Sequence, residues 1–292
     1  MASTAIDIAA PAQKRESRIR RTLRRHPTIV IGGSILGLMV LVAIFAPLLA
    51  TVDPQAVSPA RRLRWPQERW WFGTDMMGRD VWSRTLYGAR VSLVVGLGAA
   101  ILATAGGLLL GLLTGFIRWV DAVLMRVMDG LMSIPAVLLA IALMALTQAS
   151  LQNVIFAIAL AELPRVTRLV RGVVLTLREQ PFVEAATAAG TPLMRTLFKH
   201  ILPNTLAPLL VQATYVCASA MITEAILSFI GAGTPPNIPS WGNIMAEGRT
   251  FFQIAFWIIL FPGLFLSVTV LAINLLGDGL RDALDPRLAR RM

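Results

Sequence analysis

The sequence predicts an all-α integral membrane protein with six transmembrane helices. Of its 292 residues, 56% are hydrophobic and only 15% are charged, whereas charged residues make up about 25% of an ordinary soluble domain. The apolar residues fall in six runs, each long enough for the ~20 residues of a membrane-crossing helix. The runs cover residues 28–50, 91–117, 123–146, 151–174, 206–230 and 252–276.

The distribution of Lys and Arg predicts that both termini lie in the cytoplasm. An even number of spans puts the termini on one side, and this N-in/C-in orientation places 19 of the 27 Lys and Arg residues on the cytoplasmic side. Seven of the other eight lie in residues 51–90, a longer loop of the kind that translocates despite its charge. Residues 1–27 and 277–292 are therefore predicted to be cytoplasmic tails.

The run at 28–50 is predicted to be a retained first transmembrane helix. It is longer than the apolar region of a typical signal peptide, and its end, Ala46-Pro47-Leu48-Leu49-Ala50, is no convincing cleavage site. Residues 51–90 are then an extracytoplasmic loop with interfacial aromatics. Residues 91–276 form a core of five further helices.

Two local patterns refine this core. The second run contains six glycines, which predict close helix packing because small residues let helix backbones approach in lipid. The outer loop 231–249 is rich in Gly and Pro and cannot form one regular helix.

Composition argues against several other classes of function. The formal charge of +11 comes from basic residues that flank apolar runs, a pattern typical of span orientation and contact with anionic lipid rather than of nucleic-acid binding. Cys217 is the only cysteine, so no internal disulfide or Cys-rich metal site can form. With His26, His200 and Cys217 in three separate segments, no metal site or nucleophile–base pair can be drawn, which argues against a membrane enzyme.

The largest predicted cytoplasmic interruption between apolar runs is a loop at 162–204. Its central part predicts two short helices: an Ala-rich helix that ends at Gly190, and a second in which Thr191 caps and Pro192 occupies the first turn. Pro203 is expected to end the second helix and redirect the chain into the fifth span. An Ala-rich exposed face suits insertion into a groove on a partner, and the alternative is an amphipathic segment lying on the bilayer.

The residues of this loop resemble the coupling loop of bacterial ABC importer permeases. The resemblance rests on Glu184-Ala185-Ala186, then Gly190, and then His200-Ile201-Leu202-Pro203. His200 stands where the generic pattern has isoleucine, and the segment His-Ile-Leu-Pro-Asn is itself similar to the peptide-importer branch. Three more segments, at 72–80, 227–231 and 274–282, resemble the second permease subunit of the dipeptide, oligopeptide and nickel importers.

This resemblance implies the type I ABC importer transmembrane fold and a set of partners. They are a homologous second permease, two ABC ATPase subunits that hold ATP and Mg²⁺, and an extracytoplasmic substrate-binding protein, all at the bacterial cytoplasmic membrane. It assigns ATPase coupling, at about 176–204, to Glu184, Ala185, Ala186, Gly190, Leu202 and Pro203; the alternative for Glu184 is a solvated surface charge. The two lysines, Lys14 and Lys199, follow no phosphate-binding loop, so the chain cannot hold ATP in the usual way.

Charged residues in apolar runs are candidates for the transport pathway. Glu224 is the clearest, since charge in hydrocarbon is costly and usually faces a cavity or a partner; pathway lining and a structural role, such as pairing with the second permease, both remain open. Arg126 and Asp129, three residues apart, are expected to pair with each other. Peptide is the expected solute, with a nickel chelate, a glutathione-like compound or another small solute as the alternative. A secondary transporter is the alternative of a different class.

Overall fold

The computed structural model describes residues 26–284, and within that range the architecture is helical. The eleven α-helices of the described range are α1 (Pro27–Ile44), α2 (Ala46–Leu49), α3 (Val81–Phe116), α4 (Arg118–Met132), α5 (Ala136–Ala145), α6 (Leu151–Arg178), α7 (Pro181–Ala188), α8 (Leu193–Thr196), α9 (Leu202–Phe229), α10 (Trp241–Gly248) and α11 (Trp257–Leu284). The predicted N-terminal tail lies outside the described residues except at its end. Helix α11 extends eight residues into the predicted C-terminal tail.

Helix α3 begins ten residues earlier than the apolar run predicts. Its N-terminus is fixed by Asp80, whose carboxylate accepts a hydrogen bond from the Ser83 backbone N–H at 2.9 Å, satisfying one of the donors that a helix start leaves free. The predicted loop at 51–90 therefore ends at residue 80. Residues 81–90 are polar enough to be missed by hydropathy but belong to the helix.

The third apolar run is not one straight helix. It divides into α4 and α5, whose axes differ by 90° across a break of three residues that contains Pro135. Proline cannot donate the backbone hydrogen bond that would continue α4. The pair is therefore either a broken span or a re-entrant segment.

Helix α6 runs without interruption from Leu151 to Arg178 and contains Pro164. The expected cytoplasmic loop at 162–204 therefore begins too early, since Glu162 lies in the middle of a long helix. The non-helical connection starts only at Glu179.

The expectation that Pro203 ends a helix is also wrong. Residues Leu193–Phe229 form a single 37-residue helical element, in which a π-turn at Leu197–Ile201 leads directly into α9. Pro203 lies in the first turn of α9, directly after this π-turn.

Hydropathy and length together support four or five membrane spans among residues 26–284. The four are α1, α3, the element Leu193–Phe229 and α11, and the bent α4–α5 pair would be a fifth. Helix α6 is long enough, but Glu162, Arg165, Arg168 and Arg171 interrupt its apolar sequence.

The core is built around the contact of α3 with α6. Gly107, Gly111 and Gly115, spaced four residues apart on α3, face Val166, Val170 and Val174 of α6, and a Cβ at Gly111 would lie only 2.5 Å from the Val170 Cβ. All three valines are fully buried. The prediction that these glycines allow close helix packing is confirmed.

Candidate functional site: the α6–α9 connection and the opposite end of the bundle

The connection between α6 and α9 holds α7 in a defined orientation. Helix α7 ends in a Schellman motif: the Gly190 N–H donates to the Thr187 carbonyl at 2.9 Å, and the Thr191 N–H donates to the Ala186 carbonyl at 3.0 Å. Gly190 has φ of +77°, a conformation that glycine adopts without steric cost. The predicted helix end at Gly190 is confirmed.

The start of the second short helix differs from the expectation. Pro192, not Thr191, is the N-cap residue of α8, and no side chain caps the helix. Thr191 instead belongs to the C-terminal motif of α7. The two short helices therefore share one connection in which Thr191 closes the first and Pro192 starts the second.

The residues with a predicted coupling role lie on or near the surface of this connection. Glu184, Ala185, Gly190 and Pro203 are exposed, and Ala186 and Leu202 are half-buried. Val183, Thr196 and Ile201 are buried beneath them and hold α7 and α8 against the rest of the fold. A surface of this kind is available to a partner.

Sequence reasoning missed the apolar part of this surface. The exposed fractions of Phe182, Leu193, Met194 and Phe198 are 45%, 54%, 65% and 62%, and these residues lie on α7, on α8 and in the π-turn that follows α8. The available signal was the run Leu193-Met194 directly after Pro192. Clustered exposed apolar residues mark an interaction site.

A cavity of about 650 Å³ lies between this connection and the end of α3, lined by residues that include Phe116, Arg178 and Glu184. Arg178 ties the two elements together, because its guanidinium donates to the Gly115 carbonyl at 2.7 Å and lies 5.4 Å from the Phe116 ring centre. Arg178, the last residue of α6, therefore holds the start of the connection against the end of α3.

A four-residue ion network lies at the other end of the bundle. Arg84 contacts Asp75 at 2.5 Å and Glu247 at 2.6 Å, and Arg79 contacts the same two carboxylates at 2.7 and 2.5 Å. The side chains of Arg84 and Asp75 are almost fully buried. The network joins α3 and the segment before it to α10.

The segment before α3 is shaped by two glycines in the left-handed region, Gly73 and Gly78, both with φ of +73°. A Cβ at Gly73 would lie 2.6 Å from the Arg64 carbonyl oxygen and from Trp257 Nε1. The Trp257 indole donates to the Thr74 carbonyl at 3.2 Å. The motif at 72–80 therefore anchors this segment on α11.

Glu224 lies inside the protein rather than on an open face. It is 0% exposed, and its Oε1 accepts from the Ser228 hydroxyl at 2.8 Å and from Thr234 at 3.4 Å. Its Oε2 has no hydrogen-bond partner among residues 26–284. This placement favours the structural alternative within the chain, and a pathway role for Glu224 stays a prediction.

The expected pair of Arg126 with Asp129 does not form. Asp129 instead contacts Arg168 of α6 at 2.5 Å, and Asp121 pairs with Arg171 of α6 through two contacts. Helix α4 is thus held along α6 by its acidic residues. Among the described residues, no group of three or more His, Cys, Asp or Glu side chains is placed to hold a metal ion.

These features define a class of protein: a multi-span helical membrane protein in which the connection between α6 and α9 exposes two short helices. Comparison with protein families agrees. Residues 107–290 match the model of the binding-protein-dependent transport system inner membrane component, and residues 17–66 match the N-terminal transmembrane domain of oligopeptide transport permease C.

Relatives match along nearly the whole chain. A probable peptide ABC transporter permease protein of Sinorhizobium fredii is 54% identical over 271 residues, 93% of each chain. The dipeptide transport system permease protein of Alkalihalophilus pseudofirmus is 44% identical over 92% of this chain and 88% of its own. The glutathione transport system permease protein of Pectobacterium atrosepticum is 40% identical over 92% and 90%.

The chain therefore belongs to the permease family of binding-protein-dependent ABC transporters. It is a transport subunit of the membrane.

Proposed function

We propose that the chain forms half of the translocation pathway of an ATP-driven peptide importer and is driven by a separate ATPase. The observation that carries this proposal is the α6–α9 connection, where the capped helix α7 and an exposed apolar cluster form one surface. Exposed apolar groups next to a charge, Glu184, match the composition of a partner interface. The ATPase would supply ATP and Mg²⁺.

The proposed topology has six spans with both termini in the cytoplasm of a bacterium. In addition to the four apolar spans, it takes the bent α4–α5 pair as one and α6 as another, so that the α6–α9 connection faces the cytoplasm. The distribution of Lys and Arg supports this orientation. The charges of α6 are acceptable if they contact partner residues or water instead of lipid.

The proposed assembly contains a homologous permease, two ABC ATPase subunits and an extracytoplasmic substrate-binding protein. Several matched relatives are named as peptide or dipeptide permeases, which supports peptide as the solute. The relative named as a glutathione permease supports a glutathione-like compound as the alternative. Nickel chelates remain a third possibility from the resemblance of the sequence.

The coupling role can be tested at Gly190. A Cβ at this position would meet no atom within 4 Å, so any defect comes from the backbone conformation rather than from lack of space. Gly190→Val is expected to lower ATP-driven uptake of a labelled dipeptide and recovery of the ATPases in mild detergent, because β-branched residues disfavour positive φ.

The matched control is Gly190→Asn, since Asn tolerates the left-handed region, and it should retain both activities. Unaltered uptake by the Val variant would contradict the proposed role of Gly190. Uptake that follows an ion gradient and ignores ATP would instead indicate a secondary transporter.

A further inference from the structure

Helix α6 exposes a face that does not suit lipid. Apart from Arg178 at its end, its exposed residues after the midpoint are Arg165, Arg168, Gly172 and Thr176, and spacings of three and four residues put these four on one side of the helix. By contrast, the exposed residues of α3 include Val94, Leu97, Ile101 and Leu109. The exposed surface of α3 is therefore compatible with lipid hydrocarbon, whereas this face of α6 is not.

The polar face continues onto α9 through a direct contact. The Ser219 hydroxyl donates to Glu162 Oε1 at 2.7 Å, and Arg165 lies 3.5 Å from the other oxygen of Glu162. On α9, Gln212, Tyr215 and Ser219 follow helical spacing and are partly exposed. These five residues, Glu162, Arg165, Gln212, Tyr215 and Ser219, are called the polar track.

The polar track reaches deep into the membrane-length helices. At 1.5 Å per residue, Glu162 lies about 24 Å from the Arg178 end of α6, and Ser219 lies about 25 Å from the Leu202 end of α9. Towards those ends the track opens into a groove of about 380 Å³ lined by residues that include Leu169, Gln212, Tyr215 and Arg281. The groove lies on the side of the α6–α9 connection.

The same face of α9 becomes apolar beyond Ser219. Ile222 and Ile226, at the next helical positions, are 43% and 39% exposed. The face is thus polar over the part that leads to the α6–α9 connection and apolar over the remainder. The polar part of this face can line a water-filled cavity, and the apolar part beyond Ser219 can close that cavity by excluding water.

We propose that the polar track is the cytoplasmic half of the translocation pathway, that Arg165 is the cation that carboxylate-bearing solutes meet there, and that Ile222 and Ile226 form this chain's part of the seal. The inference rests on the proposed function as half of a transport pathway. The Arg165 side chain is 60% exposed, so its guanidinium is accessible while Glu162 beside it stays buried. A carboxylate can therefore approach Arg165 without displacing the Ser219–Glu162 bond.

The proposal can be tested by thiol accessibility in inside-out vesicles that contain the whole transporter. Cys217, the only cysteine, is replaced by Ser, and single cysteines are introduced by Gln212→Cys, Ile226→Cys and Ile101→Cys. Because a thiolate forms in water and not in hydrocarbon, a membrane-impermeant cationic methanethiosulfonate should label Gln212→Cys at least about tenfold faster than Ile101→Cys. Ile226→Cys should stay as slow as the lipid-facing control in the absence of ATP.

A second arm tests the charge of Arg165. At Gln212→Cys, the ratio of labelling by anionic and cationic reagents should fall at least about twofold in Arg165→Gln, because the loss of a nearby positive charge removes both the attraction for the anionic reagent and the repulsion of the cationic one. Arg165→Lys should preserve the ratio. Equal ratios in the Gln variant and the parent would overturn the role of Arg165.

Thiol labelling requires no transported solute. A failure of the proposed pathway can therefore be distinguished from a failure of the proposed function in peptide import. Slow labelling of Gln212→Cys in a transporter that still performs ATP-driven uptake would overturn the pathway and leave the proposed function intact. Fast labelling in a complex that transports no peptide would refute the peptide assignment and retain the pathway.

Discussion

Arg84 and Glu247, separated by 163 residues in the sequence, form a two-point ion pair: one guanidinium nitrogen of Arg84 lies 2.6 Å from Glu247 Oε2 and the other lies 3.0 Å from Oε1. The pair connects the first turns of α3 to α10. Since Arg84 also contacts Asp75, one buried guanidinium holds three segments together. This geometry is specific to arginine, whose planar fork matches a carboxylate.

Arg84→Met is expected to destabilise the protein by about 1.5–3 kcal/mol, because the buried Asp75 carboxylate loses one of its two charged partners while Arg79 still contacts it. The measurement is the thermal unfolding midpoint in detergent. Arg90→Met is the control, since Arg90 lies on the same helix but is exposed. Similar midpoints for the two variants would show that the network contributes little.

Gly111→Ala tests the packing of α3 on α6. The new Cβ would lie 2.5 Å from the Val170 Cβ and 2.9 Å from the Thr167 carbonyl oxygen, so we expect a loss of about 1–3 kcal/mol from overpacking. Gly172→Ala makes the same change on α6, where a Cβ meets no atom within 4 Å. It should be neutral or stabilising, and an equal loss in both variants would argue against close packing as the cause.

Glu184→Lys tests the partner contact of α7. If Glu184 contacts a polar or cationic group of the ATPase, loss of a charged hydrogen bond worth about 1.5–3 kcal/mol should lower recovery of the ATPase roughly tenfold or more. Co-purification at equal protein concentration is the measurement. Glu68→Lys, at an exposed residue of the segment before α3, controls for net charge, and equal recovery in both variants would identify Glu184 as a solvated surface charge.

The pair of Asp121 with Arg171 can be examined by a charge swap. Both side chains are more than two-thirds buried, and Arg171→Asp alone places two carboxylates side by side. We expect the single variant to lose roughly 1 kcal/mol or more and the double variant Asp121→Arg/Arg171→Asp to recover part of it. Additive losses in a thermal unfolding assay would show that the two residues do not interact.

The sequence was sufficient to predict a helical membrane protein and the short helix that ends at Gly190. Both features are set by residues that are close together in the sequence: long apolar runs for the spans, and a glycine for the helix end. The family resemblance at 184–203 supplied the class of transporter, which the comparisons confirm.

Features that depend on neighbouring helices were not predictable in the same way. Asp129 pairs with Arg168 rather than Arg126 because α4 packs along α6, a contact that spacing within α4 does not contain. The continuation through Pro203 depends on a preceding π-turn, and the early start of α3 depends on a cap at Asp80. The polar track could not be predicted from the sequence because its residues come from two helices, α6 and α9, whose relative position the sequence does not give.

Glu224 provides the remaining test of how intramembrane charge is used. Its buried Oε1 accepts from Ser228 at 2.8 Å, a bond that the amide oxygen of glutamine can also accept. If Glu224 is structural, Glu224→Gln should retain assembly and uptake, whereas Glu224→Leu should lose about 1–3 kcal/mol by leaving hydroxyl groups unpaired. Unfolding midpoints and dipeptide uptake are measured together. Loss of uptake in a Gln variant of unchanged stability would show that the charge itself acts in transport, because glutamine preserves the shape of the side chain and removes only its ionisation.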